Sequence, residues 1–170
     1  MGTNALSQEE ALSTAIYNEK LSHDRYANLA TACKKAGNEA AAEFFEVQSK
    51  REQGHYNRLL KQRDRLFPNS KSELGTVVKW VTPETGAGME DPVNLNIDGA
   101  LTLVEQAEQA TEVFYRAQAE AAADGELAAL FARLAEEEAH HAYLAHKIRA
   151  KLEMEEKIEP IDYSDLGYGN

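Results

Sequence analysis

Glu19, Glu52 and His55 reappear as Glu105, Glu138 and His141, each 86 residues further along the chain (105 − 19, 138 − 52, 141 − 55). Residues three apart on a helix project to nearly the same side. Glu52-Gln53-Gly54-His55 and Glu138-Ala139-His140-His141 therefore each aim one carboxylate and one imidazole at a common point. A four-helix bundle that holds two irons or manganeses needs one Glu from each of two helices and a Glu-x-x-His from each of the other two. This chain supplies those four parts in order, so an all-α bundle with a two-metal site is the expectation.

The apolar periodicity places these residues on helices. A start resembling a helix cap at Ser7-Gln8-Glu9-Glu10 leads into a stripe of Leu12, Ala15, Ile16, Glu19, His23, Tyr26, Ala27 and Ala30, and the first helix is expected to end near Lys35. Gly37 and Asn38 break the pattern, and a second helix carries Ala41, Phe44, Phe45, Gln48, Glu52, His55, Leu59 and Leu60 on one side until Pro68. Asp98 is a good cap for a third helix, with Leu101, Glu105, Glu108, Glu112 and Tyr115 along one side to about Ala123. Asp124-Gly125 is a turn. A fourth helix follows from about Glu126 to Lys157, with Leu127, Leu130, Phe131, Leu134, Glu138, His141, Leu144 and Ile148 facing inward.

Between Phe67 and Asp98 the pattern dissolves into a stretch containing Pro68, Pro83 and Pro92 and Gly75, Gly86 and Gly88. So long a connection fits a crossover joining two helices that run in the same direction, as ferritin-like bundles require. The organisation expected is one bundle domain over residues 1–157 and an acidic, aromatic tail over 158–170. Adding 86 to Ala42, Phe44 and Phe45 gives Ala128, Leu130 and Phe131, so apolar positions repeat along with the ligands. A pseudo-two-fold bundle follows.

In a chain rich in glutamate, a single Glu-x-x-His is most often a solvated pair. Four such positions in register on apolar stripes are different, because burying a carboxylate costs several kcal/mol unless it is paired or metal-bound. Glu19, Glu52, Glu105 and Glu138 all lie on those stripes. Mixed Glu and His donors suit iron or manganese, with zinc as an alternative occupant. Glu108 follows Glu105 by one turn, while the position 86 residues before it is Ser22, so the second half offers an additional carboxylate. That makes Glu108 a seventh ligand and the candidate catalytic residue. Tyr26 and Glu112 are expected as outer hydrogen-bonding partners of the ligands. His23 and His140 are read as outer or surface residues, and Tyr17, Tyr115 and Tyr143 as core aromatics.

Composition removes several rivals. The formal charge of −11 opposes nucleic acid and anionic lipid, and no Lys/Arg cluster reverses it. No run of about 18 apolar residues is present for a membrane span, and the start MGTNALSQEE resembles no secretory leader. A cytoplasmic location is the expectation. Cys33 is the lone cysteine, so a disulfide framework and a thiolate metal site are both excluded, and an electron carrier must be a separate protein.

These residues together resemble the rubrerythrin family, within the ferritin-like superfamily. The resemblance spans the four helices from Leu12 to Ile148 and rests on Glu19 with Arg25-Tyr26, Glu52-x-x-His55, Glu105-x-x-Glu108 and Glu138-x-x-His141. Glu105-x-x-Glu108 discriminates, since ferritins and bacterioferritins are similar in the other ligands but usually lack the extra Glu. The four cysteines of a C-terminal rubredoxin domain are absent, which points to the single-domain erythrin type, and the connection between helices two and three looks longer than usual. The resemblance implies a binuclear iron centre that reduces hydrogen peroxide to water, with Glu52 and Glu138 bridging, Glu19 and His55 on one iron, and Glu105 and His141 on the other. Glu108 would join the first iron as His55 leaves and relay a proton to the departing oxygen. The electrons would come from an external donor, a rubredoxin-like or flavin protein.

Three other functions compete with the peroxidase. An O2-activating oxidase or oxygenase would need an apolar pocket lined by Phe44, Phe45, Phe114 and Phe131. A ferroxidase would need a cage or shell partner, and a structural metal-stabilised bundle would show no redox cycling. Chains of this type commonly pair, so a homodimer is expected, with a helix-pair exchange through the long connection as a further expectation.

Overall fold

The structure, a computed structural model, describes residues 6–69 and 97–153. Four helices follow one another, α1 over Gln8–Lys35, α2 over Glu39–Leu66, α3 over Ile97–Ala121 and α4 over Gly125–Glu153. Among the described residues there is no strand. No described helix is long and apolar enough to cross a membrane.

Local chemistry sets the helix ends. Ser7 and Glu10 form a capping box, in which each side chain reaches the other's backbone N–H. At the other end of α1 the chain turns through Gly37 at φ +74°, and Asn38 N–H returns 2.9 Å to the carbonyl of Cys33. Only glycine takes that left-handed conformation at little cost, so α1 stops there. The Asn38 side chain then caps α2 through Ala41 N–H at 3.0 Å. Asp124 caps α4 through Leu127 N–H at 2.8 Å, a stronger role than the turn position expected of it. Helix α3 already includes Ile97, which puts Asp98 in the first turn and corrects its reading as the cap.

Helices α1 and α2 form one antiparallel hairpin, and α3 and α4 the other. Arg65 near the end of α2 pairs with Asp124 at the start of α4 at 2.6 Å, so these two helices are antiparallel. Glu19 and Tyr26 of α1 meet Tyr115 and Glu108 of α3 in reversed order, so α1 and α3 are antiparallel as well. It follows that α2 and α3 run in the same direction. The chain leaves α2 at one end of the bundle and starts α3 at the other, a distance set by the 25 residues of α3, about 37 Å. The expected crossover is the topology found. Residues 70–96 of the connection and the tail at 158–170 lie outside the described residues.

The apolar interior divides in two. Tyr26, Leu29, Phe44, Phe45, Leu101, Val104, Leu144 and Ile148 fill one end, and Leu12, Ile16, Leu59, Tyr115, Leu127, Phe131 and Leu134 fill the other. Every residue expected on the inner side of α4 is buried. Phe44, Phe45 and Phe131 pack within these cores, Phe45 against Tyr26 and Phe131 against Tyr115. Between the two apolar layers lies a polar one.

Candidate metal centre

That layer consists of Glu19, Glu52, His55, Glu108, Glu138 and His141, each at most 3% exposed. Their ligand atoms form two overlapping sets. Glu19, Glu52, His55 and Glu138 have donor atoms within 4.8 Å of one another, and so do Glu52, Glu108, Glu138 and His141. Glu52 and Glu138 belong to both sets, which is the position bridging carboxylates occupy between two metals.

The donor atoms are arranged for cations more than for one another. His55 Nδ1 lies 2.9 Å from Glu138, 3.1 Å from Glu19 and 3.5 Å from Glu52, and a single N–H cannot serve three carboxylates. Glu138 Oε1 is 2.9 Å from that nitrogen yet aligned for no hydrogen bond, and Glu52 Oε1 is equally without one. Buried carboxylate oxygens without partners are costly. Oxygen and nitrogen donors converging with lone pairs inward fit a pair of divalent cations, and the chemistry of the set suits iron or manganese.

Outside this layer, His55 Nε2 lies 2.7 Å from Glu137, which also accepts from Arg58 Nη2 at 2.6 Å. The carboxylate fixes the ring so that Nδ1 points inward. The sequence reading did not single out Glu137 or Arg58, and the adjacency of Glu137 to Glu138 was the available signal.

The pseudo-symmetry differs from the one read in the sequence. Tyr26 O–H donates to Glu108, and Tyr115 O–H donates to Glu19, a crossed pair of bonds between α1 and α3. Glu108 and Tyr115 follow Glu19 and Tyr26 by 89 residues (108 − 19, 115 − 26), while the α2 and α4 residues keep the shift of 86. Helix α1 runs 16 residues beyond Glu19 (35 − 19) and α3 only 13 beyond Glu108 (121 − 108), which accounts for the three-residue difference. Glu108 is thus the geometric partner of Glu19, and Thr111, not Glu108, is the counterpart of Ser22.

Two expected residues stand elsewhere. Glu105 is not brought into the cluster: its carboxylate lies 3.2 Å from His146 and 3.3 Å from Arg149 on α4. At about 100° per residue it is displaced roughly 60° around α3 from Glu108, toward those two side chains. Glu112 pairs with Arg116 at 2.8 Å, one turn along the same helix, and is corrected as an outer partner of the ligands. Tyr26 has the outer hydrogen-bonding position expected of it. Tyr115 has the same position, an addition to its core role. Tyr143 is 55% exposed and is corrected as a core aromatic; it leans on the half-buried His140. His23 ties α1 to α2 through the carbonyl and hydroxyl of Ser49, away from the cluster.

The electrostatics are those of a charge-balanced proton store. Burial chiefly, with Glu52 and Glu138 adding to it, pushes Glu19 well above the carboxylate range. Burial and Glu138 push Glu108 up to about 8. Burial would also raise Glu52 and Glu138, but the histidines prevail and hold Glu52 at about 2 and Glu138 well below its usual value. Burial would lower His55 and His141, yet the surrounding carboxylates raise both well above 6.5. Near neutral pH two imidazolium ions therefore face the carboxylates of Glu52 and Glu138, while burial favours the protonated forms of Glu19 and Glu108. Two divalent cations facing four carboxylates would be equally balanced.

The rubrerythrin family model matches residues 10–112, more than half of the 170 residues, and covers α1, α2 and the part of α3 that carries Glu108. No curated protein and no solved structure matches the chain. A four-helix ferritin-like bundle, a buried layer of glutamates and histidines in two overlapping sets, and this match lead to one conclusion: the chain belongs to the rubrerythrin family.

Proposed function

We propose that this chain is a non-haem di-iron peroxidase that reduces hydrogen peroxide to water with electrons from an external donor. Supporting this reading is Glu108, a buried carboxyl held at about 8, bonded by Tyr26 and placed with Glu52, Glu138 and His141. Reducing one hydrogen peroxide to two waters takes two electrons and two protons. Iron bound by Glu19, Glu52, His55, Glu108, Glu138 and His141 would supply the electrons and recover them from a rubredoxin-like or flavin protein. The chain's own residues supply the acid. Without metal Glu108 favours its protonated form, in a layer closed to water on both sides by apolar residues. As an iron ligand it would be deprotonated, and on leaving the metal it would take up a proton and pass it to a departing oxygen, the second proton coming from solvent. Tyr26 keeps that carboxyl aimed while the proton leaves. A pair of chains in the cytoplasm, with the donor docking from solution, completes the proposal.

A second reading is a ferroxidase. It is favoured by the absence of Glu105 from the cluster, which leaves, among the described residues, six ligands in matched halves with no seventh carboxylate. One experiment separates the two. The chain is loaded anaerobically with ferrous iron and mixed in a stopped-flow apparatus with hydrogen peroxide or with dissolved O2. Oxidation far faster by peroxide, at two irons per chain, supports the peroxidase; faster oxidation by O2 transfers the reading to the ferroxidase.

A further inference from the structure

His55 and His141 are matched in position, their rings stacked at 5.6 Å and 6° apart in plane, but their outward nitrogens are treated differently. His55 Nε2 donates to Glu137, and Glu137 is steadied by Arg58. His141 Nε2 is buried with no hydrogen-bond partner among the described residues. The cause can be followed to two positions. Where one half has Glu137, the other has Arg51 (137 − 86), whose guanidinium offers no acceptor. Where one half has Arg58, the other has the buried Leu144 (58 + 86).

A carboxylate behind a ligating imidazole fixes its tautomer and orientation and strengthens it as a donor, and its loss typically costs about 10- to 100-fold in metal affinity. The inward distances agree. His55 Nδ1 has carboxylates at 2.9, 3.1 and 3.5 Å, whereas those around His141 Nδ1 lie at 3.0, 3.4 and 3.9 Å. We propose that Glu137, steadied by Arg58, is a positioning residue for His55, and that it makes the metal position at Glu19 and His55 the tighter and first filled of the two. The proposal rests on the reading of the layer as a two-metal centre.

The test is an anaerobic titration of the metal-free full chain with Co(II), followed by its visible absorption and by calorimetry. The unaltered protein should take two Co(II) per chain in two steps separated by about tenfold or more. Glu137→Ala should weaken the tighter step by about 10- to 100-fold and leave the looser step in place. Glu137→Gln keeps an oxygen for the Nε2–H and should lie between. Glu136→Gln, an exposed neighbour, should match the unaltered protein, and His141→Ala should remove the looser step alone. Far-UV circular dichroism checks that each variant folds, with Glu137→Gln carrying the test if Glu137→Ala does not. Two indistinguishable steps in the unaltered protein, or an unchanged tighter step in Glu137→Ala, would overturn the proposal. Failure of the unaltered protein to bind Co(II) would overturn the metal-centre reading itself.

Discussion

Loading the buried layer with divalent metal should expel protons in a countable number. Without metal at pH 7, the surrounding carboxylates hold His55 and His141 toward the charged form, burial shifts Glu19 toward its protonated form, and Glu108, at about 8, is protonated in roughly nine molecules of ten. Metal ligands must be deprotonated, so all of these protons leave as the cations enter. The expected release is three to four protons per two metal ions, and the overall binding constant should fall by about three to four decades for each pH unit of acidification near pH 7. Calorimetric titration with Mn(II) or Fe(II) in two buffers of different ionisation enthalpy measures the number directly, and a pH-indicator dye provides an independent count. Release of fewer than about two protons, or an affinity unchanged between pH 6 and 8, would refute the charge balance drawn from the cluster.

The metal-free protein offers a second test through Glu108. Its carboxyl is at about 8 in the fold against 4.5 in the unfolded chain, so the native state binds the extra proton between those values and stability falls as pH rises through that window. Glu108→Gln has no proton to lose, and its urea midpoint should decline less from pH 5 to pH 8 than that of the unaltered protein; equal declines would refute the assignment. Tyr115→Phe removes the hydroxyl that Glu19 accepts from, and should cost about 1–2 kcal/mol, a drop of roughly 2–8 °C in the calorimetric melting temperature, whereas an unchanged melt would mean the bond contributes nothing. Gly54 lies inside α2, and a methyl group there would meet nothing within 4 Å. Gly54→Ala should therefore raise stability by about 0.5–1 kcal/mol in denaturant unfolding, and a loss would show that the position is needed bare.

Much of this molecule was legible in its residues. The apolar stripes locate all four helices, and Ser7 with Glu10 and Gly37 with Asn38 mark the ends of α1. Glu52, His55, Glu138 and His141 lie where their spacing put them, because two residues on one helix keep their relation whatever surrounds them. The choice between Glu105 and Glu108 was not legible. They are one turn apart, and the decision belongs to the three extra residues at the end of α1 and to the side chains of Arg149 and His146 on a neighbouring helix. Tyr115 carried a signal that local patterning overlooks, since it follows Glu108 by seven residues as Tyr26 follows Glu19, but the bonds cross between helices. Glu137 faces a histidine 82 residues away, a relation only the packed bundle creates.

The two hairpins meet through Tyr26 with Glu108, Tyr115 with Glu19, and His55 with Glu137 and Glu138, and none of these contacts follows the peptide chain from α2 to α3. Each metal position likewise draws donors from both hairpins, Glu138 joining the first and Glu52 the second. A cation held there would add a rivet between two hairpins that the apolar layers above and below it already join. Metal loading in such a bundle would therefore also fasten the hairpins together at the one polar layer between their apolar contacts.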